Sequence, residues 1–250
     1  MEKRDIDVLV LSDLHLGTFG CHAQEIVTYL KSVAPKVLVL NGDIIDIWQF
    51  KKHYFPAAHM QVIKQIFSLL SKGTKVYYIT GNHDEALRRY TDLEMGGFTL
   101  TDKVVLNLDG KKTWIFHGDI FDASIQNARW LAKLGGFSYD LLIWLNHWLN
   151  VLLERMGREK YSLSKTIKDS VKKAVKYVGD FELAAAEMAL RKGYGRVICG
   201  HIHQPQMRTI AVGDRQIEYL NSGDWIENLT ALEWDGSNWT LYQHQDAREV

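Results

Sequence analysis

Five short polar clusters are spread along this 250-residue chain: Asp13-Leu14-His15, Gly42-Asp43, Gly81-Asn82-His83-Asp84, His117-Gly118-Asp119 and Gly200-His201-Ile202-His203. From them Asp13, His15, Asp43, Asn82, His117, His201 and His203 offer two carboxylates, one amide oxygen and four imidazoles, with no thiolate. Mixed oxygen and nitrogen donors suit Mn²⁺, Fe or Zn²⁺ better than Mg²⁺ or Ca²⁺, which favour oxygen throughout. One ion takes about four to six ligands, so these donors are too many for one ion and right for two that share a bridge, for which Asp43 is the choice. Two divalent ions roughly 3.5–4 Å apart are a device for phosphoester cleavage, because they acidify an attacking water and offset the charge that grows on the phosphoryl oxygens.

The elements that must position these groups are short apolar runs at 8–11, 37–40, 76–79, 114–116 and 197–199, one directly before each cluster. Runs of this length, rich in Val, Ile and aromatics and closed by Gly, Asp or Asn, read as strands buried on both faces. In α/β sheets ligands bind beyond the carboxyl ends of the strands, so residues distant in sequence converge there. The His-x-His and Asp-x-His spacings add that alternate side chains share a face. Any one of these residues alone is an ordinary turn or packing residue. Five coincident placements at strand ends are not ordinary.

The motif series D-x-H, G-D, G-N-H-D, H-G-D and G-H-x-H, running from Asp13 to His203, resembles that of the calcineurin-like metallophosphoesterases. The resemblance implies an α/β two-sheet sandwich flanked by helices and a dinuclear centre. In it Asp13, His15, Asp43 and His203 hold one ion, while Asp43, Asn82, His117 and His201 hold the other. Every ligand position is filled, which argues against a non-catalytic scaffold of the same fold. His83 is expected to donate a hydrogen bond to the transition state or a proton to the leaving oxygen, with Asp84 orienting its ring. Asp46 and Asp119 read as supporting or turn residues rather than ligands.

Between H-G-D and G-H-x-H the stretch 122–180 interrupts the frame with helix-like sequence. It is similar to the helical lid of the UDP-2,3-diacylglucosamine diphosphatase family of lipid A synthesis, whose length and motif order the chain shares. That resemblance implies cleavage of the diphosphate of a lipid-linked nucleotide sugar into UMP and the lipid monophosphate, usually with Mn²⁺. It also points to Asp122, Ser164, Lys165 and Lys168 as substrate-binding residues. Read on its own terms, 139–153 is apolar around most of a helix, with Trp144 and Trp148 among its residues. At about 15 residues it is shorter than the roughly 20 needed to span a bilayer, so it packs on the protein, binds acyl chains or touches a membrane surface. The following stretch to Lys176 is basic, which suits an anionic headgroup, a substrate diphosphate or plain solvation. The chain departs from that family in carrying His83 where the diphosphatases have Arg in G-N-R-D. Arg88 or Arg89 is placed to stand in, and a soluble phosphodiester or nucleotide is the alternative substrate.

Thirty Lys and Arg balance thirty Asp and Glu, which leaves no extended basic track for a nucleic acid. With 46% hydrophobic residues and no Pro/Gly/Ser linker, the chain reads as one domain over 1–250 with the lid inserted in it. Helices are expected at 22–33, 59–71, 84–90 and 181–192, and short strands at 208–212, 217–220, 230–234 and 239–244. Ser222 and Asp224, after one of these strands, read as supports for the metal site. Cys21 and Cys199 are too few for a disulfide framework. With the first strand begun by Val8 and a ligand at Asp13, no removable apolar segment is read, so the expectation is a cytoplasmic protein resting peripherally on the inner membrane face.

Overall fold

The computed structural model describes residues 3–47, 54–121 and 163–245, the side chains of 163–171 and 173 excepted. The chain divides into two compact units, one of Met1–Asp119 with Ala185–Val250 and a second of Ile120–Ala184.

The first unit is built on two mixed sheets. β1 (Arg4–Leu11), β2 (Val33–Asn41), β3 (Lys75–Ile79) and β5 (Phe98–Thr101) run parallel as neighbours. β11 (Thr230–Trp234) and β12 (Trp239–Gln243) extend that sheet on one side and β4 (Leu93–Met95) on the other, giving the order β12-β11-β1-β2-β3-β5-β4. The second sheet has the order β6-β7-β8-β10-β9, from β6 (Lys103–Leu108), β7 (Lys111–Phe116), β8 (Arg196–Cys199), β9 (Gln206–Val212) and β10 (Arg215–Asn221).

The continuous apolar runs divide by parity between two cores, because successive side chains of a strand point to opposite faces. Val8 and Val10 of β1 and Val39 of β2 join Ile115, Ile198 and Leu220 between the sheets. Leu9, Leu11, Leu38 and Leu40 join Ile26, Leu30, Val62 and Ile66 of α1 (Ala23–Ser32) and α2 (Ala57–Ser71) on the other face. Both helices supply the matching stripe: Ala23, Ile26, Val27 and Leu30 on α1, and His59, Val62, Ile66 and Leu69 on α2, are buried. Removing one of these leucines would cost about 2–5 kcal/mol, enough to matter against a small net stability.

In this frame the parallel strands end level with one another. Leu11 is paired with Leu40 and Asn41 with Ile79 in one sheet, and Ile115 with Ile198 and Cys199 with Asn221 in the other.

The structure differs from expectation in three places. The helix expected at 84–90 is a 3₁₀ helix, Glu85–Tyr90. The one expected at 181–192 is the end of α3 (Leu163–Arg191), which continues without a break across the lid boundary placed at 180. Strands β4, β5 and β6 were not expected, because polar and exposed positions interrupt their alternation. Their turns are nonetheless encoded: Gly96-Gly97 joins β4 to β5 and Asp109-Gly110 joins β6 to β7, all four residues at positive φ as tight hairpins require. Among the described residues no helix is long and apolar enough to cross a membrane. Asp122, Trp144, Trp148 and the apolar stretch 139–153 lie outside the described residues. So do the side chains of Ser164, Lys165 and Lys168, whose backbone belongs to α3.

Candidate metal centre

All seven expected donors lie just beyond the level strand ends. Asp13 and His15 follow β1, Asp43 follows β2, Asn82 follows β3, His117 follows β7, and His201 and His203 follow β8. Asp13, His15, Asp43, Asn82 and His117 are buried, whereas His83, His201 and His203 are partly exposed, so the set has a closed floor and an open rim. One donor atom from each of Asp13, His15 and His203 lies within 4.8 Å of the other two, and the same holds for Asp43, His117 and His201. The first trio belongs to one of the two sets the family motifs imply and the second trio to the other, without Asp43 in the first or Asn82 in the second. His15, Asp43 and His83 form a third such group between them.

The backbone is shaped to hold these side chains. Asp13, His15, Asp43, His201 and His203 all have φ between 49° and 69°, the left-handed region. Asp and His enter that region more readily than most side chains, but each instance still costs on the order of 1–3 kcal/mol and survives only where the surroundings impose it. Here the loops hold one another: Asp13 N–H donates to the Gly42 carbonyl at 3.0 Å, His15 N–H to the Asp43 carbonyl at 2.9 Å and Trp225 N–H to the Asp13 carbonyl at 3.1 Å. His201 N–H donates to Asp13 Oδ2 at 3.0 Å, and His83 N–H to Asp43 Oδ1 at 2.8 Å. Gly81 and Gly200 are required by close approach, since a Cβ there would sit 2.2 Å from Asp43 Oδ1 and 2.6 Å from Asp13 Oδ2 respectively.

Second partners fix the rings. His117 Nδ1 is 2.9 Å from the Asn41 carbonyl and donates to it, which leaves Nε2 for the donor set. Asp46 Oδ2 serves two rings at once, 3.2 Å from His15 Nδ1 and 2.9 Å from His83 Nδ1. Asp224 accepts the backbone N–H groups of Ile226 and Glu227, and Asn228 in the same turn donates to the His203 carbonyl at 3.0 Å. Ser222 Oγ lies 2.7 Å from Ser12 Oγ, next to Asp13.

Asp84 does not orient His83 as expected. Its carboxylate turns away from the rim and accepts from Gly81 N–H at 2.6 Å, Ile44 N–H at 3.0 Å and Tyr78 Oη at 2.7 Å. Burial raises its pKa even so. Asp84 thus ties the Asn82 loop to the Asp43 loop, and Asp46 orients the ring, because neighbours along a tight turn cannot both face the same way. Arg88 is likewise committed elsewhere: its guanidinium meets Asp119 at 2.5 Å, Thr80 Oγ1 at 3.3 Å and Asp102 at 3.5 Å. It fastens the 3₁₀ helix to the H-G-D loop. Arg89 lies over the Tyr90 ring.

The electrostatics are those of cation ligands. Burial works against a charged His117, but the Asp43 and Asp13 carboxylates outweigh it and push its pKa up to about 10. Burial is outweighed at His203 in the same way by Asp13, which raises it to about 9. Asp13 and Asp43 resist burial through these histidines and are held below the usual carboxylate range. Among the described residues His15 Nε2 and Asn82 Oδ1 are buried without a hydrogen bond, while His203 Nε2 lies 3.1 Å from Asp13 Oδ1 and His117 Nε2 3.3 Å from Asp43 Oδ2. Buried polar atoms left this way are costly unless something binds them. Aimed oxygen and nitrogen donors in two adjoining groups fit divalent cations. A cavity of about 260 Å³ opens above them, lined by His15, Asp46, His83, His203, Thr18, Gly20 and Ile226.

The chain is similar to known proteins along most of its length. A family model described as calcineurin-like phosphoesterase matches residues 6–205. A UDP-2,3-diacylglucosamine hydrolase of Aliivibrio fischeri is 27% identical over 95% of this chain and 98% of its own. One of Nitrosococcus oceani is 26% identical over 89% and 88%. A solved archaeal phosphodiesterase is 13% identical over 95% of this chain and 99% of its own with a TM-score of 0.43, a likeness too remote to build on.

Proposed function

The chain belongs to the calcineurin-like phosphoesterase family, a family of metal-dependent hydrolases, and from that premise we propose that it cleaves the diphosphate of UDP-2,3-diacylglucosamine to UMP and 2,3-diacylglucosamine 1-phosphate. The observation that carries the reading is end-to-end similarity to hydrolases of that name together with a complete set of strand-end donors. Asp13, His15, Asp43 and His203 would hold one divalent ion and Asp43, Asn82, His117 and His201 the other, manganese being our choice for both. When bound, the pair supplies an acidified water and positive charge for the phosphoryl oxygens.

The chain's own residues do the rest. His83 stands at the rim with Nδ1 on Asp46 and Nε2 4.0 Å from Asp43 Oδ2, so its Nε2 edge faces the donor set. Burial opposes its protonation, but Asp46 and Asp43 outweigh burial and raise its pKa. In its protonated form the ring can hand a proton to the leaving phosphate oxygen. The buried floor excludes bulk water and the open rim admits an extended substrate. Asp122, Ser164, Lys165 and Lys168 are our choice for substrate contacts. Lys172 and Lys176, exposed on α3, suit an anionic membrane surface, as does a cytoplasmic site for the reaction.

One observation favours the alternative of a soluble phosphodiester or nucleotide: His83 takes the place of the diphosphatase Arg, and Arg88 is occupied by Asp119. Incubation with UDP-2,3-diacylglucosamine and Mn²⁺ separates the two. UMP release that stops on chelation supports the lipid-linked substrate, whereas no release alongside turnover of bis(p-nitrophenyl) phosphate would discard it.

A further inference from the structure

Thr18 and Gly20, in the loop between β1 and α1, line the cavity above the metal ligands. Between them stands Phe19, 73% exposed. Its ring centroid lies 3.9 Å from that of Tyr54 with the planes tilted by 36°. Phe19 thus sits between two residues of the cavity wall and packs on a second ring. Its loop is anchored. Buried His59, on the first turn of α2, accepts the Gly17 N–H at Nδ1 over 2.9 Å and so pins the loop. The His59 ring in turn meets Tyr54 edge-on at 6.0 Å and Phe55 at 5.5 Å.

We propose that Phe19, stiffened by Tyr54 and His59, is a stacking platform for the nucleobase of a nucleoside phosphate whose phosphates lie on the metal ligands. The inference rests on the nucleotide-sugar reading above and makes Phe19 and Tyr54 specificity residues. A flat, braced pair of rings suits a planar ligand. Thr18 Oγ1 is spent on the His15 carbonyl at 2.9 Å, so the platform recognises the face of a base rather than its edge and discriminates weakly among bases.

The test compares binding of UMP and ribose 5-phosphate, which differ by the base alone, to the full chain loaded with Mn²⁺, by calorimetry. The wild type should bind UMP about tenfold more tightly. Phe19→Ala should bring UMP down to the level of ribose 5-phosphate, and Phe19→Trp should restore the gap, with circular dichroism and metal content reporting that each variant is folded. Equal affinities in the wild type, or a UMP preference that survives Phe19→Ala, would overturn the platform. Turnover of UDP-2,3-diacylglucosamine is scored separately. If it is absent while the Phe19-dependent preference persists, the substrate reading fails and the platform stands for another nucleotide. If it is present without that dependence, the platform alone fails.

Discussion

Replacing Gly81 with Ala tests whether the close approach of two loops sets the metal geometry. The added Cβ would lie 2.5 Å from the Asp43 backbone nitrogen and 2.2 Å from Asp43 Oδ1. Ordinary carbon contacts begin at 3.4 Å, so the Asp43 backbone must retreat by roughly 0.9 Å, and a rotamer change cannot relieve the clash because one partner is main chain. Gly81 is not at positive φ, so the effect is steric and not a matter of backbone preference. Asp43 is the residue both cations would share, and displacements near 1 Å at a reacting centre cost about 100-fold. Turnover with Mn²⁺ should therefore fall about 100-fold, and metal content measured by mass spectrometry should fall with it. The loss of stability should stay within about 1–3 kcal/mol. Gly195→Ala, whose Cβ would meet Lys111 at an ordinary 3.5 Å, serves as the control. A Gly81→Ala enzyme with near wild-type turnover and full metal content would show that the approach of the loops does not set the centre.

Other perturbations separate the remaining roles. His83→Ala should lower turnover by about 100- to 10,000-fold while leaving metal content in place, and equal losses in both would contradict a proton-donor role. Asp46→Asn, which weakens the hold on both His15 and His83, should cost about 10- to 100-fold in turnover and narrow the pH range over which His83 acts; an unaltered pH profile counts against it. In metal-free protein, His117 at about 10 and His203 at about 9 lie above their ordinary 6.5, so their contribution to stability is complete below pH 6.5 and drains away as the pH rises through 9 to 10. The depressed Asp13 and Asp43 act at the other end, their contribution present above pH 3.8 and lost in acid. Melting of chelator-treated protein should thus fall from pH 6.5 to 10, and added Mn²⁺, which needs neutral imidazoles, should reverse the trend; a flat metal-free profile would refute it. Gly179→Ala, in the body of α3 with open space at its Cβ, should raise stability by about 0.5–1 kcal/mol in thermal unfolding, and no gain would mean that the helix is not continuous there in solution.

The donor inventory and the placing of each donor after an apolar run were legible in the chain alone. Strand ends and turn residues are short-range properties: Val8 to Leu11 reads as a doubly buried strand, and Asp13 as a polar residue just beyond its end, without knowledge of the rest of the chain. The hairpin at Asp109-Gly110 was also written locally, although the polar positions of β6 hid its strand. Which side chain serves which was settled only by packing. Asp84 is next to His83 in sequence, yet its carboxylate is drawn into the backbone of two loops, and Asp46, 37 residues earlier, meets the ring instead. Arg88, legible as a free cation near the site, is claimed by Asp119 from another strand end. The left-handed backbone of Asp13, His15, Asp43, His201 and His203 belongs to the same class, because loops from two sheets impose it through hydrogen bonds such as His201 N–H to Asp13 Oδ2. Chemical type and local pattern travel with the chain, whereas pairing depends on which loops the level strand ends bring within about 3 Å of each other, and that is fixed only when both sheets pack.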